Sequence, residues 1–312
     1  MRKACLNMVY ELAKQDERVV FIGSDLGPGL LDEMKTKMPG RWYMEGVSEQ
    51  NMIGMAAGLA MEGYIPYVNT IATFITRRCY EQVALDLCLH NLPVRLIGNG
   101  GGVVYAPLGP THLAIEDIAI MRSLPNMTVV APTDADEMRR FMEKTPDLPG
   151  PAYIRLGKGG DEIVSRDEDG FEIGKSILLR EPSDVLIVAT GVMVNRALAA
   201  AEALSDKDIG YGVLNMHTVK PLDTERILEQ ASKVRLMVTL EEHTLVGGLG
   251  SAVLETLADY PVRDQCAILR LGIPDCFAAE YGSQDSLLES YGLQPDEIAS
   301  RIETKYSSLA ND

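Results

Sequence analysis

Nowhere in its 312 residues does this chain gather positive charge: 29 lysines and arginines stand against 45 aspartates and glutamates, for a net charge of −16. That excludes a nucleic-acid footprint or an anionic membrane surface as the main partner, and an anionic sugar phosphate would need a local positive site. Long apolar runs are missing too, so no segment is expected to span a bilayer. The start, Met1-Arg2-Lys3-Ala4-Cys5-Leu6, has neither the apolar stretch nor the cleavage pattern of a signal peptide. Five cysteines (Cys5, Cys79, Cys88, Cys266, Cys276) form no CxxC pair and no even disulfide set. They are expected as free or buried thiols in a reducing cytoplasm. No GxxxxGKS/T phosphate loop and no group with metal-ligand spacing occurs.

What the sequence does have is alternation. Short β-rich runs read as buried strands at 19–22, 65–68, 94–97, 128–130 and 152–155, with helix-period segments near 50–62, 74–90, 114–123 and 134–144. The second half repeats the grammar, with strands at 185–189, 211–214, 236–240 and 267–271 and helices near 192–204, 223–231 and 249–258. Such alternation implies α/β domains whose mainly parallel sheets are covered by helices on both faces. A polar, glycine-rich break follows Gly157, running through Asp167-Glu168-Asp169-Gly170 to Arg180-Glu181-Pro182-Ser183. It suits a linker. We therefore expect a first domain over 1–165, a linker over 166–183 and a second domain over 184–312.

The most informative stretch is Glu45-Gly46-Val47-Ser48-Glu49-Gln50-Asn51-Met52, continuing as the apolar helix Ile53-Gly54-Met55-Ala56-Ala57-Gly58-Leu59-Ala60. Glu49 opens that helix, where an acid favours the dipole and Ser48 is placed to cap. A helix this apolar is buried, however, so its leading carboxylate belongs near a cleft or interface and needs a partner. Gly54 and Gly58 are spaced to let another backbone approach. Asp25, in Gly23-Ser24-Asp25-Leu26, follows a strand end, where ligands approach open α/β sheets; a turn or helix cap is the competing reading. His112, one of four histidines, lies on a loop that is glycine-rich from Gly98 to Gly109, a setting that favours function over core packing. Arg155 ends a buried strand and suits either a substrate phosphate or a structural ion pair.

Taken in order, several segments resemble the transketolase family. Gly46-Val47-Ser48-Glu49-Gln50-Asn51-Met52 is similar to the family's invariant-glutamate segment, and Pro66 to Arg78 with Tyr80-Glu81-Gln82-Val83 to the segment whose phenylalanine stacks on an aminopyrimidine. Gly109-Pro110-Thr111-His112 resembles its substrate loop, and Pro151 to Gly159 the end of the same domain. His217 to Asp223, Glu241-Glu242-His243 and Gly247-Gly248-Leu249-Gly250 look like its C-terminal domain. The likeness runs nearly the whole length.

The resemblance implies a thiamine-diphosphate enzyme. A carboxylic acid hydrogen-bonded to pyrimidine N1′ favours the imino tautomer, whose 4′-nitrogen removes the thiazolium C2 proton. Glu49 takes that role, Phe74 stacks on the ring, Asp25 and Ile71 lie beside the cofactor, and His112 and Arg155 contact substrate. Family members hold the diphosphate through Mg²⁺ on a Gly-Asp-Gly motif with a trailing asparagine, and no Gly-Asp-Gly occurs here. Diphosphate and metal are therefore expected from a partner chain carrying the diphosphate-binding domain, in an α₂β₂ assembly that moves a two-carbon ketol unit onto an aldehyde. Two departures bear on substrate: Gly100 stands where the family usually has histidine, and Leu108 where it has aspartate. Ile71 replaces a usual phenylalanine. A leucine accepts no hydroxyl hydrogen bond, so an uncommon or modified sugar is expected. Related alternatives are the β subunit of a 2-oxoacid dehydrogenase E1, a deoxyxylulose-phosphate-synthase-like enzyme, or a relative that kept the fold and lost the reaction.

Overall fold

Strands buried on both faces are what the short apolar runs require. In the computed structural model, which describes residues 1–24, 29–157, 159–204, 209–260 and 266–309, they form two sheets. The strands of the first half are β1 (Val19–Gly23), β2 (Trp42–Met44), β3 (Ile65–Ile71), β4 (Arg95–Asn99), β5 (Thr128–Val130) and β6 (Ala152–Leu156). Those of the second are β7 (Ile177–Arg180), β8 (Val185–Ala189), β9 (Tyr211–Asn215), β10 (Thr218–Lys220), β11 (Leu236–Thr244) and β12 (Ala267–Ile273). The first sheet runs β10-β5-β6-β4-β3-β1-β2, and the second β12-β11-β8-β9-β7. Pairing is parallel except at one edge of each, where β10 lies antiparallel to β5 and β7 antiparallel to β9. The α/β architecture with two helix-covered, mainly parallel sheets is thus as the alternation predicts.

The differences are local. Residues 177–180 fall inside the stretch read as linker yet form β7; the run is short and only half-buried, so its apolar signal is weak. β10 comes from the second half but extends the first sheet. The helix near 74–90 is a composite of π turns at Phe74–Arg78 and Val83–Leu89 around Tyr80–Gln82. Such wide turns are rare and cluster at functional sites. The helix expected from 114 begins at Asp117, because Ala114 is drawn into a bridge with Gly102. Helices Arg2–Gln15 and Pro295–Ser308 carry too much polar sequence to stand out beforehand.

Buried charge ties the two halves together. Glu137 accepts from Thr133 N at 2.6 Å and from Asn215 Nδ2 at 2.7 Å, and burial pushes its carboxyl up to about 7. Glu241 is pushed up to about 7 by the same cause while accepting from Leu249 N and Gly250 N, so it caps the helix Leu249–Asp259. Gly248 leaves room for it: a Cβ there would stand 2.0 Å from the carboxylate. His217 stacks on Phe171 at 3.9 Å, and burial holds it neutral, down to about 3, with Asp223 opposing that shift and Arg140 adding to it. His243 sits between the halves, accepting from Ala119 N, and burial lowers it to about 4.

These groups pull stability in opposite directions. A buried glutamate raised above its ordinary 4.5 stabilises below that value, and the contribution is lost as pH rises towards 7. A buried histidine held below 6.5 stabilises above that value, and the contribution is lost as pH falls. Between about 4.5 and 6.5 each group adds a slope of roughly 1.4 kcal/mol per pH unit. Replacing His217 by Asn removes one acid-sensitive contribution, so melting temperature should fall less steeply from pH 6.5 to pH 5 than in the native chain. Parallel thermal melts check this, and equal slopes would show that His217 already titrates normally in the fold.

Candidate active site

The chemistry collects where β3 and β4 end, at the carboxyl edge of the first sheet, the usual approach for ligands in open α/β folds. Glu49 is the first residue of the helix Glu49–Met61 and is only 3% exposed. Ser48 occupies the N-cap position, but its hydroxyl turns back to donate to Glu45 O at 2.7 Å instead of capping. Glu49 meets Arg78, whose Nη1 donates to its Oε2 at 2.8 Å, and receives a long bond from Thr70 Oγ1 at 3.4 Å. The guanidinium of Arg78 lies 4.0 Å over the centre of the Phe74 ring. His112 meets the same ring edge-on with centroids 5.2 Å apart. Glu49, Arg78, Phe74 and His112 are therefore one contiguous cluster, although 63 residues separate its ends. Ile71, half-buried, closes β3 opposite Asn99 of β4.

Two amides lie beside this cluster. Asn99 Nδ2 donates to Asn69 Oδ1 at 2.7 Å and to Thr70 O at 2.8 Å, leaving Asn69 Nδ2 and Asn99 Oδ1 buried without a partner. Buried polar atoms are seldom left so. Thr70, Arg78 and these two asparagines were not singled out from sequence. The signals were faint: polar residues ending apolar strands, and an arginine four positions after Phe74, where helical side chains share a face.

The other expected residues divide. Asp25 lies outside the described residues. Arg155, expected to bind a substrate phosphate or form a structural ion pair, has a side chain 5% exposed and committed inside the protein. Its Nε donates to Asp117 Oδ2 at 2.8 Å, and its Nη2 to Glu242 O at 2.8 Å and Ala114 O at 3.2 Å. Tyr153 donates to the same Asp117 oxygen. A strand end is an open position only if no neighbouring loop covers it, and here Gly101 and β11 do; a Cβ on Gly101 would fall 2.5 Å from the arginine. Gly54 and Gly58, read as room for a neighbouring backbone, face nothing within 4 Å in this chain.

The substrate loop has its own logic. Gly100 has φ +72, and a Cβ there would lie 2.2 Å from the ring of Tyr105. The phenol ring fills the space a side chain at residue 100 would use. Burial raises the Tyr105 hydroxyl above its ordinary value, with Arg2 opposing. Leu108 is half-exposed on the same loop, and the ring of Tyr281 packs against Gly109. A cleft of about 350 Å³ is lined by Arg77, Ile115, Glu116, Thr244, Asp275, Cys276 and Phe277.

A buried carboxylate and an aromatic ring are thus linked through one planar cation, Arg78. Among the described residues, no group of three acidic, histidine or cysteine side chains is arranged for a metal. Nor is any helix there long and apolar enough to cross a membrane.

Comparison with known proteins follows the same lines. Residues 1–160 match the transketolase pyrimidine binding domain, and residues 174–298 the transketolase C-terminal domain. The chain belongs to the transketolase family. A 6-deoxy-6-sulfo-D-fructose transketolase subunit from Clostridium sp. (strain MSTE9) is 40% identical over 302 residues, covering 96% of this chain and 92% of that one. A 1-deoxy-D-xylulose-5-phosphate synthase from Caldanaerobacter subterraneus subsp. tengcongensis is 39% identical over 303 residues, and the match spans 48% of its length. Among solved structures, a split-gene transketolase described as an inactive β4 tetramer superposes with a TM-score of 0.89 at 35% identity, covering 98% of both chains. The match is to the C-terminal half of a transketolase. Membership implies a transferase, and the family implies thiamine diphosphate, usually with a divalent metal.

Proposed function

We propose that this chain is the pyrimidine-activating subunit of a two-chain transketolase, active only with a partner that carries the diphosphate-binding domain. The observation that carries the reading is the buried Glu49 carboxylate, joined through Arg78 to the Phe74 ring, in a sequence without Gly-Asp-Gly. In this reading residues 1–165 are the pyrimidine-binding domain, 166–183 a connection and 184–312 the C-terminal domain. The partner grips the diphosphate and Mg²⁺, and the assembly is α₂β₂.

When bound, thiamine diphosphate supplies the nucleophilic carbon and the electron sink of ketol transfer. This chain's part is to position and to move protons. Glu49, 3% exposed, hydrogen-bonds N1′ of the ring and shares a proton with it. Phe74 covers one face of that ring, Ile71 and Asp25 bound its surroundings, and His112 steadies charge as the two-carbon unit meets an aldehyde. The substrate loop, with Tyr105 over Gly100 and an apolar Leu108, suits a modified sugar better than the ordinary phosphate esters. A relative named for a sulfonated sugar is in keeping with that.

The test is reconstitution. The isolated chain should transfer no ketol units, and adding a chain with Gly-Asp-Gly, thiamine diphosphate and Mg²⁺ should restore transfer. Robust activity from the isolated chain would overturn the two-chain reading. A synthase-like reaction is the second reading, supported by the 39% relative. Condensation from pyruvate, with no transfer from ketoses, would favour it.

A further inference from the structure

The guanidinium of Arg78 does two things at once that are both asked of the cofactor's ring. It presents planar N–H donors to the buried Glu49 carboxylate at 2.8 Å, and it lies face-on over Phe74 at 4.0 Å. A ring that bonds Glu49 through a nitrogen and stacks on Phe74 needs the same carboxylate oxygens and the same aromatic face. Two planar groups cannot share one face at stacking distance.

The two partners of the ion pair differ in their access to water. The Glu49 side chain is 3% exposed, whereas that of Arg78 is 41% exposed. The arginine thus approaches the buried carboxylate from the solvent side. Its backbone stays fixed, since Gln50 Nε2 donates to Arg78 O at 3.1 Å and the residue ends the π turn Phe74–Arg78. Apart from Thr70 at 3.4 Å, Glu49 has no other protein partner among the described residues.

We propose that Arg78 is a gate on the ring pocket: in the cofactor-free chain its guanidinium occupies the place of the aminopyrimidine, and cofactor binding requires it to swing outward. This rests on the cofactor reading above and deepens it. In the closed form the arginine pairs the buried carboxylate and covers the phenylalanine, so the lone subunit does not expose an unpaired charge beside an apolar ring. The cofactor then binds only the open fraction, and its apparent affinity is reduced by that fraction. Arg78 is in this sense a positioning residue, acting through Glu49.

The experiment uses the reconstituted two-chain complex with Mg²⁺ and follows binding of thiamine diphosphate by calorimetry and stopped-flow absorbance. Inorganic diphosphate, which lacks the ring, is the control ligand. Arg78→Met keeps an apolar stem but abandons the carboxylate and the stacked cation. It should tighten thiamine diphosphate binding by about three- to tenfold and speed association, while inorganic diphosphate binds as in the native complex. Arg78→Lys, which pairs Glu49 without a flat stacking group, should fall between them. Weaker binding of thiamine diphosphate by Arg78→Met would make the arginine an anchor for the cofactor and overturn the gate. Equal affinities in both complexes would overturn it as well, as would a parallel change for inorganic diphosphate, which marks a general disturbance of the fold. If the native complex itself binds inorganic diphosphate but not thiamine diphosphate, the cofactor reading fails and the gate with it.

Discussion

Glutamine at position 49 should leave a folded protein that no longer activates its cofactor. The change is isosteric, and the helix Glu49–Met61 packs through Met52, Ile53, Ala56 and Ala60, none of which it touches by charge. A neutral amide can bond a ring nitrogen but cannot share a proton with it, and positioned proton transfer is worth about 10²–10⁴ in rate. In the reconstituted complex, exchange of the thiazolium C2 proton and ketol transfer should therefore both fall by about that factor. The melting temperature should stay within a few degrees of native, since the pair with Arg78 is open to solvent on the arginine side. Native exchange rates in the variant would remove Glu49 from the mechanism. The same substitution frees Arg78 from its partner, so loss of exchange with cofactor still bound is the informative combination.

Arg155→Met should act on the opposite quantity, destabilising the fold without touching the ring pocket. The guanidinium lies among Asp117, Tyr153 and the carbonyls of Ala114 and Glu242, and Asp117 is fully buried. Removing it strands a carboxylate with no cation, which in buried pairs costs about 3–5 kcal/mol. For domains of this size that is about 10 °C in melting temperature. Thiamine diphosphate affinity of whatever protein remains folded should be unchanged. A variant that melts like the native chain but shows a raised KM for phosphorylated sugars would return Arg155 to substrate binding.

The contrast between Glu49 and Arg155 shows what was legible beforehand. Periodicity placed most strands to within a few residues, because strands buried on both faces read as uninterrupted apolar runs. Where burial is partial the signal fades: β7 is a half-buried edge, and β10 is three residues long and pairs with a strand some ninety positions earlier. Glu49, Phe74 and His112 are singled out because their segments resemble a family, and in the structure they lie in one cluster with Arg78. The burial of Arg155 is not legible in the sequence, because the loop over its strand end closes through Gly101 and Glu242, contacts 54 and 87 residues away that no local pattern announces. Arg78 was passed over for a related reason. An arginine on a partly exposed helix is ordinary until it is seen lying across the Phe74 ring while pairing a buried carboxylate.

The crossing of β10 into the first sheet has a consequence for how the polypeptide can be handled. Thr218–Lys220 close the β5 side of that sheet, although they belong by sequence to the second half. Cutting the gene between its two apparent modules would strip the leading module of a border strand and lay bare a ladder of hydrogen-bonding groups, a template for clumping. The two modules are thus buttoned together through a shared strand.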